Sequence, residues 1–230
     1  GLLAQACRPA GTMNGWLEAL GVASKHPAVL VALGASLASP CLAITGTPGF
    51  VLSLDGRTSA GKTTAQRYAA SAWGCGDELA PAPYIRTWDW THNAREAWCH
   101  ALNHLPCIVD DTRRHVGHPD RLAEAVYQMA AGQGRARMVD GRTAQETRRW
   151  HLVTITSGED PLTQVATSGG LRARTLQLWG SPFGGNAPGD VATVNAVARS
   201  HYGHAGRAWV NALHARKGTG YAPTHRPLGG

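Results

Sequence analysis

Eight consecutive residues, Gly56-Arg57-Thr58-Ser59-Ala60-Gly61-Lys62-Thr63, match G-x-x-x-x-G-K-[ST] without a mismatch. That spacing suits the holding of phosphate oxygens. Backbone N–H groups from Gly56 through Thr63, with Thr64 following, can curl round an anion because the glycines permit close approach. A helix opening at Lys62 would point the positive end of its dipole at the same anion. Lys62 would reach the β- and γ-phosphates of ATP, and the Thr63 hydroxyl would ligate Mg²⁺. The plainer reading is a Gly-rich turn matching by chance. Against it, the chain holds only Lys25, Lys62 and Lys217 as lysines, and one of them falls at the required place.

A phosphate-binding loop of this kind needs a carboxylate on a neighbouring strand to hold the Mg²⁺ shell. The run Pro106–Asp111, PCIVDD, is an apolar strand ending in acids, so Asp110 is the candidate metal residue. Asp111 follows at the place of a water-polarising acid, although Asp also favours turn starts for reasons of its own. A third cluster is basic: Arg135, Arg137, Arg142, Arg148 and Arg149 stand against Asp140 and Glu146. Asp140-Gly141 is a strong turn signal within it, and we expect a β-hairpin there.

Positioning those groups requires strands and helices, and the flanking pattern supplies both. The stretch to about Thr47 reads as helical, with Asn14 as cap of a helix over Trp16–Leu20 and Pro27 opening another through Leu37. Phe50–Leu54 is a nearly continuous apolar run, as buried parallel strands are. Strands are expected at Tyr84–Trp88, Pro106–Asp111, His151–Ser157 and Arg174–Trp179. Helices are expected at Lys62–Trp73, Ala94–His104, Pro119–Gly132 and Asp190 to about His214. Alternation of this kind predicts an α/β fold with a mostly parallel five-stranded sheet. It divides into a helical lead-in (1–48), a phosphate-loop core (49–180) and a small C-terminal helical lid (181–230).

Composition excludes other classes. The 230 residues are 43% hydrophobic and 16% charged, enough for a core and too apolar for general disorder. A net charge of +7 permits a polyanionic partner. Five scattered Cys without a C-x-x-C pair argue against a disulfide framework or zinc site and fit a cytoplasmic setting. The 11 His offer no H-x-x-x-H pair with an attendant carboxylate. The apolar run around Val29–Ile44 is cut by Pro40 and reads as buried helices, so no membrane partner is expected. Trp88 and Trp90 read as core packing rather than base stacking. A start at Gly1 rather than Met suggests a piece of a longer chain.

Several segments carry a resemblance: Ser53–Gly74 (SLDGRTSAGKTTAQRYAASAWG), Pro106–Thr112 (PCIVDDT), Tyr127–Arg137 (YQMAAGQGRAR) and Arg148–Glu159 (RRWHLVTITSGE). His201–Trp209 adds a weaker one. The chain resembles the helicase-like "domain of unknown function 927" family of phage, plasmid and mobile-element proteins. It departs from that family at Asp111, where Glu is usual, and at Arg135, where Lys is commoner. The resemblance implies an AAA+ ATPase close to hexameric replicative helicases, acting on single-stranded DNA as a homo-oligomeric ring. It implies that Thr156 or Ser157, ending its strand, senses the γ-phosphate. Arg172 or Arg174 would reach a neighbouring subunit's ATP, and Arg135, Arg137 and Arg142 would grip the nucleic-acid backbone from the hairpin. A small-molecule kinase and a slowly hydrolysing nucleotide switch are the rival readings.

Overall fold

A strand buried on both faces must lie inside a sheet and not at its edge, and Val51–Asp55, all five residues buried, does so. The computed structural model describes residues 1–110, 112, 119–139, 143–165, 169–185 and 187–217. Its helices and strands run as follows. First come α1 (Leu2–Ala6), α2 (Met13–Ala23), α3 (Pro27–Ala38), a 3₁₀ turn at Ser39–Cys41 and α4 (Leu42–Thr45). Then follow β1 (Val51–Asp55), α5 (Lys62–Ser71), β2 (Arg86–Thr87), α6 (His92–Leu102), β3 (Cys107–Asp110) and α7 (Pro119–Ala131). The chain continues through β4 (Arg137–Val139), β5 (Thr143–Gln145), β6 (Thr154–Gly158), α8 (Leu162–Val165) and α9 (Gly169–Arg172). It ends with β7 (Thr175–Trp179), α10 (Pro188–Ser200) and α11 (Ala205–Lys217).

Five strands form one parallel sheet in the order β2-β3-β6-β1-β7. This is the expected α/β architecture with a parallel five-stranded sheet. The order matters because β6 lies between β1 and β3. The chain therefore brings the end of β6 between the Gly-rich loop after β1 and the acid ending β3. Leu52, Leu54, Ile108 and Ile155 fill the sheet's interior, each at most 1% exposed. Burial of each such side chain contributes roughly 1.5–3 kcal/mol.

Helices cover the sheet through specific polar contacts as well as apolar ones. Ser36 on α3 donates to the Ala69 carbonyl at 2.8 Å and accepts from Trp73 Nε1 at 2.8 Å, locking α3 across α5. Trp16 of α2 stacks on Tyr68 and donates to Ser71. Pro27–Thr45 is the one described stretch long and apolar enough to cross a membrane by length and composition. Its Val29, Ala32, Leu33, Ala35 and Ser36 are buried.

Several boundaries differ from expectation. The cap of α2 is Thr12, whose hydroxyl accepts from Gly15 N at 3.1 Å, and not Asn14. The C-terminal helix is two helices. Between them Tyr202 exchanges backbone hydrogen bonds with Ala10, and Gly203, at φ +79°, sits where a Cβ would meet Pro9 Cα at 2.8 Å. Only Gly permits that approach to the N-terminal segment. The short α8 and α9 gave no periodic signal, being four residues each. The hairpin is present as the antiparallel pair β4–β5, with Arg137 opposite Gln145 and Val139 opposite Thr143.

Candidate functional site

Beyond Asp55 the chain leaves the sheet and wraps round the start of α5. Gly56 N–H donates to the Gly158 carbonyl at 3.1 Å, tying the loop's first residue to the end of β6. Gly61 has φ +83°, and a Cβ there would lie 2.7 Å from Phe183 Cδ2, so both backbone and space require glycine. Lys62, only 9% exposed, folds back over the loop and donates to the carbonyls of Gly56 at 2.6 Å and Arg57 at 2.7 Å.

Opposite this ammonium, three oxygen-bearing side chains converge. Thr63 donates to Asp110 Oδ2 at 3.1 Å, and Ser157 donates to Asp110 Oδ1 at 2.5 Å. One residue comes from the start of α5, one from the end of β3 and one from β6, as the strand order dictates. Strand alternation turns Thr156 to the other face. There it is fully buried and accepts from Trp88 Nε1 at 3.1 Å, so Ser157 is the one of the pair brought to the loop. Trp88 is core, as expected, at 1% exposure.

A hydroxyl and a carboxylate beside the N-terminus of α5 suit a hard divalent cation completed by phosphate and water oxygens. Among the described residues no group of three His, Cys, Asp or Glu side chains could hold a metal ion unaided. Thr63 and Asp110 are the described side chains that could contribute oxygens to such a cation.

Asp111 and Arg142 are outside the described residues. The Arg174 carbonyl accepts from Val51 N at 2.8 Å, which sets Arg174 at the start of β7, the sheet end remote from the loop. Its guanidinium lies 5.6 Å from the Tyr127 ring. Arg172, ending α9, is on the same side of the sheet's strand starts. Arg135 donates its backbone N–H to the buried Glu96 at 2.7 Å and pairs through its guanidinium with Glu124, at the base of the hairpin that Arg137 begins.

Sequence reasoning missed residues that shape the loop from behind. Asp55 is fully buried, accepting from Ser53 Oγ at 2.7 Å and from Leu162 N at 3.2 Å. Burial raises its carboxyl above the ordinary value, partly offset by those two hydrogen bonds and by the charge of Lys62. Its signal was available: an acid in the last place of an apolar strand. Ser181, after β7, donates to the Ala60 carbonyl at 2.8 Å. Phe183 packs on Gly61, and His26 stands 5.0 Å from its ring while bonded to Asp190 at 2.8 Å. Glu159 pairs with the Thr58 hydroxyl. These long-range contacts have no local sequence signature. A cavity of about 610 Å³ lies away from the loop, beside Arg86, Trp90 and Trp98.

The family model "Domain of unknown function (DUF927)" matches residues 2–149, more than half of the chain. The chain belongs to the DUF927 family. The match takes in the Gly-rich loop, β3 and both hairpin strands of this DUF927 chain. No curated protein matches it. A solved structure described as "SCCmec type IV Cch - active helicase" superposes with a TM-score of 0.76 at 24% identity. The superposition covers 94% of this chain and 40% of that one, so the DUF927 chain spans less than half of that structure's length. At this identity the likeness shows a shared fold.

Proposed function

We propose that this chain is the ATP-hydrolysing motor of a DNA helicase of the AAA+ type, working in a mobile-element replication module. The observation that carries the reading is the meeting of Thr63, Asp110 and Ser157 opposite the Lys62 ammonium, at the mouth of a loop lined with N–H groups. The fold shared with an active helicase supports it. The N-terminus of α5 and residues Gly56–Thr64 would receive the phosphates. Lys62 would leave the Gly56 and Arg57 carbonyls for the β- and γ-phosphates. Thr63 and Asp110 would hold Mg²⁺, which when bound neutralises phosphate charge. Ser157, bonded to Asp110, would sense the γ-phosphate. The sequence offers Asp111 to orient water.

Arg172 or Arg174, which lie at the sheet end remote from their own loop, would reach a neighbouring subunit's ATP in a homo-oligomeric, hexameric ring. The β4–β5 hairpin would bring Arg135, Arg137 and Arg142 to the phosphates of single-stranded DNA. The test is ATP turnover with and without single-stranded DNA. Stimulation lost in Lys62→Ala, and lost with basal turnover kept in the triple Arg135, Arg137, Arg142→Ala variant, is the expected result. Absence of ATP binding by the wild type refutes the proposal, and DNA-independent turnover transferred to a small-molecule hydroxyl would favour a kinase.

A further inference from the structure

Hydrolysis needs a group that orients water beside the outermost phosphate, and the described residues offer a carboxylate on the loop that the motif at the end of β3 does not contain. The loop has two ends. Its second half, Gly61–Thr63, opens α5 and offers N–H groups and the helix dipole to the inner phosphates. Its first half is where the Lys62 ammonium rests, on the carbonyls of Gly56 and Arg57. A lysine that reaches the β- and γ-phosphates from this position marks the first half as the γ end.

Glu159 stands at that end. Three successive residues follow the rim of the loop as β6 finishes. Ser157 donates to Asp110, the Gly158 carbonyl accepts from Gly56 N–H, and the Glu159 carboxylate accepts from the Thr58 hydroxyl. Glu159 is the first residue past β6, where the chain bends, and its carboxylate returns to the loop at Thr58, the loop whose far end puts Thr63 on Asp110. Glu159 is half-buried, so water reaches it. Asp110 is already engaged by both Thr63 and Ser157, on the metal side. Gly158 is pinned between Asp55 and Thr112, since a Cβ there would lie 2.5 Å from Thr112 Oγ1 and 3.3 Å from Asp55 Oδ1. The hydrogen bond from Gly56 N–H to the Gly158 carbonyl ties the backbone just before Glu159 to the loop.

We propose that Glu159, on the loop after β6, and not the Asp111 that the sequence offers, is the carboxylate that orients and deprotonates the attacking water; this rests on the ATPase reading above. The water oxygen bonds to the γ-phosphorus as the bond from that phosphorus to the β,γ-bridging oxygen breaks, its electron pair leaving with ADP. The water proton passes to the Glu159 carboxylate and from there to solvent, and inorganic phosphate is the second product. Thr58, bonded to Glu159, holds the carboxylate at the rim.

The experiment measures a fluorescent ATP analogue's Kd and steady-state ATP turnover on the full chain, for the wild type, Glu159→Gln and Glu159→Asp. Expected is a loss of about 10²–10⁴-fold in kcat for Glu159→Gln, the range for a positioned general base. Its Kd should stay within about 3-fold of wild type, less than 1 kcal/mol at 1.4 kcal/mol per tenfold. Glu159→Asp should fall between the two. Turnover in Glu159→Gln within 3-fold of wild type overturns the assignment, as does loss of binding, which would make Glu159 only a latch on the loop. A wild type that binds no nucleotide overturns the ATPase reading and this inference with it.

Discussion

Asp55 gives a stability prediction that separates a hydrogen-bonding role from a charge role. The carboxylate is fully buried and satisfies two donors, Ser53 Oγ–H at 2.7 Å and Leu162 N–H at 3.2 Å. Asp55→Ala leaves both without an acceptor, at about 1–3 kcal/mol each, while also removing a buried charge that burial disfavours. Asp55→Asn removes the same charge but keeps one carbonyl acceptor, so the difference between the two variants isolates one buried donor. Asp55→Ala should therefore be less stable than Asp55→Asn by about 1–3 kcal/mol, roughly 2–12 °C in melting temperature for a domain of this size. Thermal unfolding followed by circular dichroism measures it. The pH dependence has a definite sign. The folded carboxyl titrates above its ordinary 3.8, with burial as the main cause. Between that value and the raised one, the folded state keeps a proton that the unfolded chain has released. This group therefore makes stability fall as pH rises through that window, and its effect levels off above the folded value. Wild type should gain on Asp55→Asn as the solution is acidified through the window. Equal melting of Asp55→Ala and Asp55→Asn, or wild type losing ground to Asp55→Asn on acidification, would refute the reasoning.

Gly61→Ala forces a Cβ onto a residue at φ +83° and to 2.7 Å from the Phe183 ring. The left-handed backbone alone costs about 1–2 kcal/mol. A double-mutant cycle with Phe183→Ala should show a favourable coupling of about 0.5–3 kcal/mol as the ring contact is relieved, and strict additivity would show that the ring does not confine Gly61. Trp88→Phe removes the donor to the buried Thr156 hydroxyl. It should lower the urea midpoint, at unchanged m-value, by the equivalent of about 1–3 kcal/mol, with an unchanged midpoint as the contrary result.

The parts of this molecule legible in its sequence are those whose cause is local. A loop that must turn tightly into a helix needs Gly at fixed offsets, so Gly56–Thr63 could be placed by spacing. Pro119 and Gly132 bracket α7 because Pro fits a helix start and Gly its left-handed stop, at φ +74°. The hairpin followed from Asp140-Gly141. Asp110 was legible as the acid closing an apolar run, and Ser157 only to within one residue. Choosing it over Thr156 needed the register that pairs Thr156 with Val109 and sets Trp88 behind it. Residues that act from another element stayed hidden. Nothing near Phe183 or Ser181 in the chain announces a loop more than a hundred residues earlier, and Glu159 reads as an ordinary polar residue after a strand. What exposes it is sheet order: with β6 inserted between β1 and β3, whatever follows β6 must border both the phosphate-binding loop and the acidic strand end. An acid found there is a candidate for chemistry by topology, and the end of β3 is not the sole place to look for one.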